Sequence, residues 1–403
     1  MKQLVVTGSF PYTSQTFVAR EVASTFKADH DVHVLAPTTG DAVGEEFCAR
    51  VGFPALRVIY RNYLRYPMVS ADLHRFTPRV TEAAMREVYG FVLGERRKSY
   101  FCELIKDPRI RDSDLIHAHF ADWGYMVAVP LAGILGIPVT VTAHEMDIPD
   151  IEPQTLRYVQ RHANLVIIES SDHKRRWVKL TGSEEKLHLV HQGVDLSEFG
   201  EISNRASSER IRLVSVARLV PHKRVADGIK AVGQLARRGI DVEYRIVSDG
   251  PERTKLEALR SELQLNDRVH FLGFLRRSEL IAELMASDVL LHPSEAEGFG
   301  VAVVEGMAAG LPVVVAKSEG AQDIVEHGRF GYLYEAGDIE ALVEYIAQLV
   351  TDASKRKLFG SIARSTAEAR FSWEKHMSEM YRVWNQVLAD HDHRQTNIFL
   401  QSR

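Results

Sequence analysis

The sequence predicts two doubly wound α/β domains, each built on a parallel sheet. Three observations carry this expectation. The chain of 403 residues is longer than one hydrophobic core usually supports. Twelve short, apolar, β-branched runs alternate with helical patterns along it. A polar stretch rich in small residues, 200–208, interrupts the pattern near the middle. Continuous rather than alternating apolarity marks strands buried on both faces, and helices between them make the sheets parallel.

In the first half the runs fall at 4–6, 32–36, 115–118, 139–143, 165–168 and 187–190. In the second half they fall at 213–216, 244–247, 269–272, 289–292, 313–316 and 332–334. Twelve strands crowd a single open sheet, so they divide between two domains, 1–199 and 200–372. A last helix over 373–390 carries Trp373, Met377, Met380, Tyr381 and Trp384 at helical spacing and is expected to pack back on the first domain. A polar tail, 391–403, is expected to fray.

Composition narrows the function. With 45% hydrophobic and 26% charged residues the chain is an ordinary globular protein, and a net charge of -4 argues against wholesale nucleic-acid binding. Two cysteines, Cys48 and Cys102, have no metal-ligand spacing and read as free thiols. The start shows no signal-peptide pattern, so a cytoplasmic location is expected. The uncharged stretch 126–143 imitates a membrane span, but Pro130, Gly133, Gly136 and Pro138 punctuate it as a buried helix, turn and strand.

In open parallel sheets ligands bind beyond the carboxyl ends of the strands. The most informative segment there is 293–314, PSEAEGFGVAVVEGMAAGLPVV, which follows a strand and opens a helix near Gly300. Glu297 and Glu305 stand on either side of seven intervening residues. A helix start offers free N–H groups and a positive dipole end, suited to phosphate. Two carboxylates without metal-ligand company suit sugar hydroxyls. A second loop, 216–224, carries Arg218 and Lys223, able to clamp a diphosphate by bidentate geometry and by point charge.

The first segment resembles the E-x7-E signature of family-4 retaining glycosyltransferases, and the second resembles that family's G-R-L-x-x-x-K-G loop. The family's fold is GT-B, two Rossmann-like domains whose sheets face a cleft. The resemblance implies that Glu305 holds the donor ribose and that Glu297, Phe299 and Gly300 meet the donor sugar. It implies diphosphate binding by Arg218, Lys223, Gly300 and Val301, joined by Gly8 of the first domain. Phe271, Gly273 and Phe274 resemble the segment that meets the nucleobase, and Ser248-Asp249-Gly250-Pro251 the family's G-x-G-P turn. His144 lies in a segment like T-x-H-G-x-D-I and is the candidate for the sugar, with Glu145 in the place of glycine. The catalytic set is then Glu297, His144, Arg218 and Lys223.

Residues 10–17 are similar to an F-P-x-x-S-E-T-F pattern of exopolysaccharide-assembly members, with Gln15 for glutamate. Ala217 and Arg224 replace glycines of the family pattern, and Gly306 replaces alanine. His117 and His119 read as structural or cleft-lining. Asp112-Ser113-Asp114 is formally a D-x-D metal motif, but it precedes a strand, away from the ligand end, and no metal is expected. The expected reaction is metal-independent, retaining transfer of a hexosyl group from a UDP- or GDP-linked donor to a glycan, lipid-linked or small-molecule acceptor. The alternatives are a nucleotide-sugar epimerase or a non-catalytic nucleotide-sugar-binding protein. Arginines and tyrosines between 57 and 111 suit peripheral contact with the inner membrane face or a lipid-phosphate acceptor.

Overall fold

The computed structural model describes all residues except 12–15, 62–94, 121–122, 145–152, 201–209, 319 and 402–403. The chain divides into two compact units. Unit one comprises Met1–Glu169, Lys174–Val190 and Met377–Arg403, and unit two comprises Ser170–His173 and His191–His376.

Among the described residues, unit one is built on a seven-stranded parallel sheet. Its spatial order is Val58–Tyr60, Asp31–Ala36, Lys2–Val6, Leu115–His119, Val139–Ala143, Leu165–Ile168 and Leu187–Leu189. The edge strand Val58–Tyr60 is absent from the sequence reading, because three residues are too few to register as a run. Side chains alternate across each strand. Leu4 and Val6 join a core with Ile116, Ala118 and the helix Trp123–Leu135. Val5, Val32 and Val34 pack instead against Val18 and Val22 of the helix Thr16–Lys27.

The apolar stretch near 130 is a helix of 13 residues with Pro130 inside it, followed by the strand Val139–Ala143, as its punctuation implies. A helix that short does not cross a bilayer. Among the described residues no helix is long and apolar enough to do so.

Unit two carries a six-stranded parallel sheet among the described residues, in the order Val269–Gly273, Val242–Val247, Ile211–Val216, Val289–His292, Val313–Ala316 and Gly331–Tyr334. In both sheets the chain works outward from its first strand and then reverses on the other side. The reversal leaves a switch point beside Lys2–Val6 and another beside Ile211–Val216, the places where this architecture opens a crevice.

The final helix is longer than its apolar periodicity indicates. It runs Trp373–Gln401, where the reading ended it at 390 and expected a frayed tail. Polar residues there include good helix formers, and neither glycine nor proline interrupts them. Met380 and Trp384 are buried in unit one, and the Trp384 ring meets that of His117 at 5.3 Å.

Candidate active site

The switch point of unit two brings together the loops that follow Ile211–Val216 and Val289–His292. The Glu295 N–H donates to the His222 carbonyl at 3.0 Å, which joins the two loops. Across that junction Lys223 Nζ donates to Glu297 Oε2 at 2.5 Å. His292, buried at the end of its strand, places Nε2 2.9 Å from the same oxygen. Burial opposes ionisation of Glu297, but the hydrogen bond and charge of His292, with Lys223, outweigh it and hold the carboxyl at about 2. Glu297 is therefore a fixed anion.

Gly300 caps the helix Val301–Ala308 with φ of 96°, a left-handed conformation that glycine adopts without strain. It offers no capping side chain; its carbonyl accepts from Val303 and Val304 at 2.9 and 3.3 Å, which leaves the N–H groups of Val301 and Ala302 without an acceptor inside the helix. Gly320 lies so close behind this loop that a Cβ there would fall 2.4 Å from the Gly298 carbonyl oxygen and 2.7 Å from that of Glu297. The Phe299 side chain is not offered to a ligand. It is buried, stacked on His191 at 5.4 Å and edge-on to Phe371 at 5.7 Å, so only its backbone is available to a sugar.

Arg218 is exposed at the carboxyl edge of the sheet, and its guanidinium makes no hydrogen bond or ion pair among the described residues. Its loop is braced by the turn near Gly250: Leu219 N–H donates to the Asp249 carbonyl at 3.0 Å, and a Cβ on Gly250 would strike the Leu219 oxygen at 2.6 Å. Two positions where this chain departs from glycine keep glycine's backbone, with φ of 104° at Ser248 and 49° at Arg224. Arg224 turns its cation to Asp227 at 2.7 Å and Glu295 at 3.0 Å. Gly306 has a packing reason: a Cβ there would lie 2.8 Å from Leu290 Cδ2.

Glu305, buried on the helix Val301–Ala308, accepts from Arg277 Nη1. Arg277 Nη2 and Nε donate to Glu198 Oε2 at 2.6 and 2.8 Å, and the guanidinium lies 5.9 Å from the Phe199 ring centre. Burial works against this cation, yet Glu305 and Glu198 hold its pKa above the ordinary arginine value. Arg277, Glu198 and His292 escape the sequence reading. The signals that mark them are the acids at 198 and 305, which require a cation once buried, and a histidine closing an apolar strand.

Of the nucleobase candidates, Phe271 is covered by the guanidinium groups of Arg253 and Arg260, at 5.1 and 5.6 Å. Gly273 has φ of 70° and its carbonyl accepts from Ser248 N–H at 2.7 Å, while Phe274 is 69% exposed.

In unit one, Gly8 lies half-buried just beyond Lys2–Val6. His144 follows Val139–Ala143, and both its ring nitrogens are engaged: Nδ1 with Glu169 Oε1 at 3.0 Å, Nε2 with His119 Nδ1 at 3.4 Å. His119 Nε2 is 3.1 Å from Glu21 Oε1. His117 is buried between Thr140 and Thr142, at 2.8 and 3.2 Å. Glu145, Gln15 and most of the basic stretch between 57 and 111 lie outside the described residues.

The D-x-D sequence sits at the amino end of Leu115–His119. Asp114 accepts from the Lys2 N–H at 2.7 Å, and Asp112 pairs with Arg111 at 2.9 Å. It ties together the amino ends of two central strands, opposite the end of the sheet where ligands bind.

Two family models divide the chain between them. "Glycosyltransferase Family 4" matches residues 15–198 and "Glycosyl transferases group 1" matches residues 199–366. WcaL of Salmonella typhimurium, a glycosyltransferase named for colanic acid biosynthesis, is 29% identical over 84% of this chain and 88% of its own. AmsK of Erwinia amylovora, named as an amylovoran biosynthesis glycosyltransferase, is 25% identical over 92% of this chain and 96% of its own. The crystal structure of Anabaena Alr3699/HepE in complex with UDP superposes with a TM-score of 0.74 at 21% identity, covering 96% of this chain and all of that one. With both halves matched and the GT-B architecture in place, the chain belongs to the family-4 glycosyltransferases.

Proposed function

We propose that this glycosyltransferase moves a hexosyl group, with retention, from a UDP- or GDP-linked donor to a glycan, lipid-linked or small-molecule acceptor. The observation that carries the reading is the switch point of unit two. There a free Arg218, the Lys223–Glu297 pair and the open first turn after Gly300 share one crevice edge. Cations and helix N–H groups on one side suit a diphosphate, and the fixed carboxylate between them suits sugar hydroxyls.

Arg218, Lys223 and the helix start would take up the negative charge that grows on the departing diphosphate. That role is commonly filled by a divalent ion, and these groups supply it without one. Glu297 would orient the sugar, Glu305 would accept from the ribose diol, and the acceptor would attack on the face the diphosphate leaves. In unit one, His144 would address the sugar and the Gly8 backbone the diphosphate. The names of WcaL and AmsK support an exopolysaccharide acceptor, and the HepE complex supports UDP as the carrier.

The test is a thermal-shift screen of purified protein against UDP- and GDP-sugars, followed by NMR of the product's anomeric centre. Stabilisation by one nucleotide sugar and a product with the donor's anomeric configuration are expected, in the presence of chelator. Inverted product, or activity that chelator abolishes and manganese restores, would overturn the reading.

A further inference from the structure

Two loops converge at the switch point of unit two, 217–224 after the strand Ile211–Val216 and 293–300 after Val289–His292. The Glu295 N–H ties them through the His222 carbonyl at 3.0 Å. Lys223 ties them through Glu297 at 2.5 Å and the Ala296 carbonyl at 3.5 Å. Arg224 adds a further tie, from Nη1 to Glu295 Oε2 at 3.0 Å. Lys223 and Glu297 are the groups assigned above to the donor; Arg224 and Glu295 are not.

Arg224 stands at φ of 49°, where a side chain crowds the following carbonyl and glycine is the natural occupant. Its guanidinium is nonetheless firmly seated. Nε donates to Asp227 Oδ2 at 2.7 Å, and Nη2 lies against Gly337, where an added Cβ would fall 2.8 Å from it. Asp227 is only 4% exposed, in the first turn of the helix Val225–Arg237. A carboxylate so placed requires a cation, and Arg224 supplies it. One edge of the arginine is thus fixed to the body of the unit. Another reaches outward to Glu295, which is 46% exposed.

An ion pair that open to water adds little to stability. What sets it apart is the groups it spares. A diphosphate drawing on Lys223 and a sugar drawing on Glu297 weaken the bond between those two, and that contact then holds the loops less firmly. On the function proposed above, we propose that Arg224 is a positioning residue for donor binding. Rooted on Asp227, it keeps Glu295 and the loop 293–300 in place while Lys223 and Glu297 change partners. Glu295 lies two residues before Glu297 and is held there by both its main chain and its side chain. Arginine offers the two acids separate nitrogens, which a single ammonium does not reproduce.

The test titrates the full chain with UDP and with GDP by calorimetry, with melting temperatures measured alongside. Wild type is compared with Glu295→Ala, Arg224→Lys, the double variant and Lys223→Ala. For the nucleotide that wild type binds, Glu295→Ala is expected to weaken affinity about fivefold, about 1 kcal/mol, with the melting temperature retained. Arg224→Lys keeps a cation for Asp227 and is expected to match it, and the double variant should be no weaker than either single one. In a transfer assay the donor KM of these variants is expected to rise by a similar factor while kcat changes less.

Wild-type affinity in Glu295→Ala, or losses that add in the double variant, would overturn the proposal. So would a loss of affinity that follows a fall in melting temperature, which is what a merely structural role produces. Lys223→Ala separates the tie from the reading it rests on. Weak binding by Lys223→Ala beside an unaffected Glu295→Ala removes the tie and leaves the crevice. Wild-type affinity in Lys223→Ala, or no binding of either nucleotide by wild type, removes both.

Discussion

Lys223 and Glu297, 74 positions apart, meet at 2.5 Å where two loops converge on the switch point of unit two. The pair helps hold Glu297 ionised before any ligand arrives. It also means that a diphosphate reaching Lys223 meets an ammonium that already donates to Glu297 and lies 3.5 Å from the Ala296 carbonyl, with one of its three donors uncommitted.

Replacing Lys223 by Ala, or Glu305 by Ala, is expected to lower kcat/KM for transfer at least tenfold, about 1.4 kcal/mol of barrier. Lys223→Ala should also leave Glu297 without its cation. Steady-state kinetics with the stabilising nucleotide sugar checks both. Wild-type kinetics in both variants would remove the crevice from the mechanism.

Glu297 gives a signed pH prediction. Its folded carboxyl lies near 2 against an ordinary 4.5, so its contribution to stability is complete above the ordinary value and drains away as pH falls from about 4.5 toward about 2. The gap in melting temperature between wild type and Glu297→Gln should be constant above that window and narrow within it. A gap that widens on acidification would mean that the carboxyl is not depressed. Between neutral pH and 4.5 no limb of the activity profile should belong to this residue.

Arg277→Met should be costly twice. It strands Glu305 and takes two donors from Glu198, both largely buried, for a loss of about 3 kcal/mol in unfolding free energy. Donor KM should rise more than kcat falls, since Glu305 loses the group that holds it. Chemical denaturation and kinetics on the same preparation separate the two effects.

Gly320→Ala tests how tightly the loop bearing Glu297 is seated. The added carbon meets two backbone carbonyl oxygens rather than a movable side chain, so the loop must shift. Transfer should fall while distant parts of the fold keep their hydrogen-exchange protection.

Ser248→Gly should act in the opposite direction. With φ of 104° serine is strained there, and glycine should add about 0.5–1 kcal/mol of stability after its own entropic cost. A higher melting temperature with unchanged kinetics is the expected result.

The strands were legible because parallel, doubly covered strands are written as unbroken apolar runs, 289–292 and 313–316 among them. Gly300 and Glu305 were legible because a helix start and the turn of helix that follows it impose their spacing on the chain. What could not be read is the set of partners supplied from elsewhere. Arg277 meets acids 28 and 79 positions away, and His119 meets Glu21 across 98. No periodicity records such meetings; they exist only after the sheets have formed. The strand Val58–Tyr60 and the helix beyond 390 escaped for a local reason, one being too short and the other too polar for a hydrophobic pattern to mark.

Unit one is not a contiguous piece of the chain. It needs both the stretch before Val190 and the segment from Met377, whose Trp384 covers His117. A single recombination event at the middle of the gene would therefore exchange the front of that unit while leaving its closing helix behind. Swapping it intact between relatives takes two breakpoints, or a terminal helix already suited to the new interior.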